Sequence, residues 1–123
     1  MLITSSLSDC KNYNADYKYF IVINPKNVKL KGINHMPELA PTRELYSWAM
    51  EHKNEQNWFE HYKTQFINDM HTRAGMINAL NLIEKQAKEK DVLLICFCSD
   101  VNECHRGLIA DELSARDVEI LRK

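Results

Sequence analysis

The sequence has no Cys-x-x-Cys pair, no long apolar run and no surplus of either charge sign. Each absence removes a class of function. Lys and Arg number 16 against 17 Asp and Glu, a net charge of −1, so no global field draws the chain to nucleic acid or to an anionic membrane. The longest apolar stretch, residues 92–98, is far shorter than the roughly 20 residues a membrane-spanning helix needs. The opening MLITSSLSDC has neither the basic segment nor the apolar core of a secretion signal. The expectation is a soluble cytoplasmic protein without a membrane partner. No repeat, low-complexity tract or linker interrupts it. A hydrophobic content of 45% with 27% charged residues is that of a folded chain, and residues 1–123 are expected to form a single domain.

The four cysteines are Cys10, Cys96, Cys98 and Cys104. On a strand, residues two apart lie roughly 6.5–7 Å apart, beyond ordinary disulfide reach and awkward for two ligands of one zinc ion. A set drawn from Cys10, Cys98, Cys104 and His105 has no standard ligand spacing. The sequence therefore predicts reduced thiols, no cofactor and no metal.

What the sequence does contain is concentrated in residues 92–113, VLLICFCSDVNECHRGLIADEL. An unbroken apolar run over 92–97 reads as a strand buried on both faces, central in its sheet. Ser99-Asp100-Val101-Asn102 breaks the run. Asp100 with Glu103 fits a capping box, with Asn102 as rival cap, and a helix begins near Cys104-His105-Arg106. Strands are also predicted at 2–5, 19–23 and 117–121, the last at an edge. Helices are predicted at 42–50 (capped by Thr42, with Leu45, Trp48 and Ala49 inward), 54–70 and 73–89. Residues 26–41 are left as a long loop carrying Lys26, Lys29 and Lys31. Strands alternating with helices give an α/β fold, a mostly parallel sheet of about four strands with helices packed against it.

Cys96, followed by Cys104-His105-Arg106 and an Ala-Asp-Glu-Leu helix, resembles the short members of the domain-of-unknown-function 488 family. So does Glu38-Leu39-Ala40-Pro41-Thr42 with the later aromatics Trp58, Phe59 and Tyr62. The resemblance covers most of the chain and implies a small α/β fold without a defined activity. Cys98 stands where many relatives carry an acidic residue, and the second strand lacks the Asp-Val-Arg common in longer members.

In parallel sheets ligands bind beyond the carboxyl ends of the strands. That edge would gather Ser5, Ser6, Asn24, Lys26, Cys98, Ser99 and the Cys104-His105-Arg106 turn. A helix start favours an anion and lowers a thiol pKa. In one reading the protein is an enzyme, with Cys104 as nucleophile or redox thiol and His105 as its base or orienting partner. Arg106 then forks onto a phosphate- or nucleotide-like ligand. The arginine spacing of cysteine phosphatases is absent. The alternative is a non-catalytic nucleotide or nucleic-acid module, or an interaction protein in which Cys-His-Arg is structural. Cys96 reads as core, and His105 on the bland account is tied to a backbone carbonyl.

Overall fold

The computed structural model describes residues 1–26, 28 and 31–123. Of the loop lysines, Lys29 lies outside the described residues. Five parallel strands form one sheet: β1 (Leu2–Ser6), β2 (Tyr17–Phe20), β3 (Asn34–His35), β4 (Val92–Cys96) and β5 (Ile120–Arg122), in the order β3-β2-β4-β1-β5. The helices are α1 (Arg43–His52), α2 (Trp58–Thr72), α3 (Ala74–Glu89) and α4 (His105–Ser114). The fold is α/β, with one strand more than expected. The addition, β3, is a two-residue exposed edge strand pairing with Tyr19 and Phe20, too short and too polar for a periodicity signal.

β4 is central, between β2 and β1. Successive strand residues face opposite sides, and all five of its residues are buried, so both faces of the sheet are covered there. α4 lies against β1, β4 and β5, α3 against β4, and α2 touches both helices. Thr42 caps α1 as expected, its hydroxyl accepting from the Leu45 N–H at 3.0 Å. No helix among the described residues is long and apolar enough to cross a membrane.

Several boundaries move for local reasons. β2 ends at Phe20 rather than at residue 23, because the Ile21 carbonyl leaves the sheet for the His105 ring. α2 begins at Trp58 rather than 54, after Asn57 turns left-handed at φ 64°. β5 begins late because Asp117 is left-handed at φ 65° and the Val118 N–H turns back to the Leu113 carbonyl. Asp100 and Asn102 do not cap α4. The Asp100 carboxylate accepts from the Asn102 N–H and caps a separate short 3-10 turn, Val101–Glu103. α4 is instead entered from Cys104, whose extended backbone makes no side-chain cap.

The connections place the site. β2 runs on to its outer neighbour β3, whereas β4 runs the other way, past β1 to β5. The crevice between the carboxyl ends of β2 and β4 is therefore the topological switch point, where open α/β sheets bind ligands.

Candidate functional site

Cys96 closes β4 and Cys104 opens α4, and their sulfurs meet at 3.0 Å. The Cys104 sulfur also lies 3.6 Å from His105 Nδ1. The other ring nitrogen, Nε2, lies 2.7 Å from the Ile21 carbonyl oxygen. A carbonyl only accepts, so Nε2 carries the proton and Nδ1 presents a lone pair to the sulfurs. Cys96, Cys104 and His105 are all buried.

Arg106 is 1% exposed. Its Nη1 donates to the Cys96 sulfur at 2.9 Å and to the Cys98 carbonyl at 2.7 Å. Nη2 donates to the Ser99 carbonyl and to the main-chain oxygen of Lys123, which also accepts from Nε. Neither Asp100 nor Asp111 holds it, and Asp111 pairs with Arg122 instead. The guanidinium thus spends its donors on the end of β4, the loop after it and the end of the chain, with no free fork turned outward.

The start of α4 is closed as well. Residues 104–110 are all buried, and the Val101–Glu103 turn lies over them. An added Cβ at Gly107 would come 2.3 Å from the Val101 carbonyl oxygen, so only glycine allows this approach. The expectation of an anion on the first turn of α4, held by Arg106, meets a covered surface in this arrangement.

Electrostatics redistribute the thiol roles. Hydrogen bonding with Cys96 and Cys98, together with burial, pushes the Cys104 thiol well above its ordinary range. These partners and this burial work against an ionised thiol at the helix start. The Cys104 hydrogen bond lowers Cys96, but the Cys98 hydrogen bond, burial and the Cys98 charge together outweigh it and push this thiol up to about 11. Cys98 is pulled down by the hydrogen bonds of Cys104 and Cys96, against burial, with the Lys53 charge adding to them. Burial lowers the His105 pKa against the opposing pull of the Ile21 carbonyl, which favours the neutral ring. Burial works against the Arg106 charge, but the Cys96 and Cys104 sulfurs outweigh it and hold the guanidinium charged.

The remaining predicted residues divide. Ser5 is buried, its hydroxyl given to the Ser6 carbonyl, and Ser6 bonds Ser8 and Asp9. Both are spent within their own strand and turn. Asn24 is exposed and folds its side-chain oxygen back onto the Lys26 N–H. Ser99 contributes its carbonyl rather than its hydroxyl. Lys26 reaches Phe97, with its ammonium 5.1 Å from the ring centroid. Phe97 itself is 41% exposed and packs edge-on against Phe20. Lys53 lies 5.9 Å from the Trp58 ring, and its charge lowers the Cys98 thiol. Sequence reasoning missed Lys53 and Phe97, and neither carried a local signal. Lys53 simply follows a helix, and Phe97 read as the last core residue of a strand.

Cys96, Cys104 and His105 offer one ligand atom each within 4.8 Å of one another. Cys10 is buried elsewhere. Cys96 and Cys98 are two apart in sequence and awkward as ligands of one ion, but the close pair is Cys96 with Cys104, brought together from two elements.

The model of the active DUF488-N3 subclade matches residues 21–117. The chain belongs to the DUF488 family. The matched span begins just after β2 and takes in β4 and α4, hence every side chain of the sulfur cluster in this DUF488 member. No curated protein and no solved structure matches it.

Proposed function

We propose that this DUF488 protein binds a small anionic, phosphate- or nucleotide-like ligand at the switch point between β2 and β4. Lys26 and Lys53 supply the cations of the site, and Phe97 and Trp58 its apolar walls. Cys98 is the thiol the ligand meets. The observation that carries this reading is that Cys98, alone among the three junction sulfurs, is only partly covered, with the Lys53 charge acting on it and Lys26 over the ring of its neighbour Phe97. Cys104, His105 and Arg106 stand behind it as support, holding the strand end and the loop in one geometry. A small ligand suits the chain better than nucleic acid, because a net charge of −1 provides no extended basic surface.

Two lysines at a solvent-open rim contribute modestly, about 0.2–1 kcal/mol each where exposed pairs have been measured. Affinity then depends on both together and weakens with salt. Calorimetric titration with phosphate, sulfate and a set of nucleotides is the test. Lys26→Ala and Lys53→Ala should each weaken binding severalfold, the double variant more, and raised salt should do the same. Binding that both lysine variants retain at wild-type strength, or no binding by any of these anions, would exclude the site.

A further inference from the structure

We infer that Cys96, Cys104 and His105 form the core of a site for a borderline-soft divalent metal such as zinc, with its fourth position toward Cys98. This goes beyond the anion reading and does not depend on it.

Four observations converge. The three donor atoms lie within 4.8 Å of one another, two being sulfurs and the third an imidazole nitrogen, the ligand set zinc prefers. His105 is already in the tautomer a ligand needs, since its Nε2 proton is committed to the Ile21 carbonyl at 2.7 Å. A metal-bound histidine usually donates its other N–H to such a group. The separation of Cys104 Sγ from His105 Nδ1 is 3.6 Å. Zinc–sulfur and zinc–nitrogen bonds of about 2.3 and 2.0–2.1 Å at tetrahedral angles require an edge of about 3.6 Å. Finally, Arg106 donates to the Cys96 sulfur at 2.9 Å, placing a fixed positive charge beside a group that must become thiolate.

One adjustment is needed. The two sulfurs at 3.0 Å would have to separate to about 3.8 Å, the corresponding sulfur–sulfur edge, a movement within reach of side-chain rotation. Charge and protons balance simply. A divalent ion binds the Cys96 and Cys104 sulfurs and the His105 lone pair, and two thiol protons leave to solvent. Binding is therefore stronger at higher pH. If Cys98 closes the fourth position, a third proton leaves and the resulting negative charge faces Arg106.

The test uses the full chain, kept reduced, with zinc or cobalt(II) alone as probe. About one equivalent of cobalt should bind and give the sulfur-to-cobalt charge-transfer and tetrahedral d–d absorption, and zinc should displace it. Removing an outer partner of a metal site costs about 10–100-fold in affinity, so loss of a ligand in Cys96→Ser or Cys104→Ser should cost at least the upper end of that range. Cys10→Ser, changed at a buried thiol outside the cluster, should bind as wild type does. Should the ligand variants not fold, X-ray absorption of the zinc-loaded wild type decides. A shell of two or three sulfurs with nitrogen supports the site. A shell of oxygen and nitrogen only, no stoichiometric uptake, or equal loss in Cys10→Ser would overturn it.

Discussion

Two residues show how closely the junction is built. Gly107 lets the Val101–Glu103 turn descend onto α4. Gly107→Ala forces a methyl against a carbonyl oxygen 2.3 Å away, and the backbone must shift to accept it. Overpacking of this kind costs about 1–3 kcal/mol, so chemical denaturation of Gly107→Ala should show a lowered midpoint with an unchanged slope. An unaltered midpoint would mean that the turn does not sit there. His105 makes a second prediction, for the protein in chelator. Its pKa is lowered in the folded state by burial, so below the unfolded value of about 6.5 the unfolded chain binds a proton the native one refuses. Stability is then full above that pH and falls as pH drops toward the folded pKa, by at most about 1.4 kcal/mol per pH unit. His105→Asn should show a shallower slope in this window. Equal slopes would place the imidazole in water. The carbonyl-bound histidine was legible as the bland reading of the sequence. The upward shift of the Cys104 thiol was not, because it depends on which other sulfurs fold against it.

The elements were legible wherever one pattern dominated. The unbroken apolar run gave away β4, and the helical spacing of Met76, Leu80, Ile83 and Ala87, all buried in α3, left little doubt about that helix. Thr42 announced α1, and Thr42→Ala should lose about 0.5–2 kcal/mol, read as a drop in the denaturation midpoint. No change would mean that the cap bond is not made. Errors cluster where a polar side chain had two local options. Asp100 preceded a helix by the right interval, yet it turns to the nearest N–H, that of Asn102. Arg106 was recognised as the strongest side chain of the junction, but its partners are the Cys96 sulfur and main-chain oxygens contributed by Cys98, Ser99 and Lys123. Sequence carries no mark of an accepting carbonyl. Arg106 should thus behave as a clamp between the ends of β4 and β5. Arg106→Lys keeps the charge but cannot serve these acceptors together. It should lose at least the about 1.5–3 kcal/mol of one hydrogen bond to a charged group, and amide exchange near Arg122 should quicken. Wild-type exchange and stability in this variant would contradict the clamp.

At the scale of the molecule, strand order decides what the side chains can do, and strand order is what local pattern does not encode. The sequence implies a parallel sheet, but nothing in it says that β4 inserts between β1 and β2. That insertion sets the Ile21 carbonyl opposite His105, lays Lys26 over Phe97 and leaves Cys98 at the crevice while Cys96 and Cys104 are sealed behind it. The chemistry of the junction therefore rests on one ordering of thiols, and mass-spectrometric mapping after brief iodoacetamide treatment of the native, metal-free protein is its test. Cys98 should be labelled first, and Cys10, Cys96 and Cys104 only on unfolding. Labelling of Cys104 ahead of Cys98 in the folded protein would show the start of α4 to be open and would overturn this order.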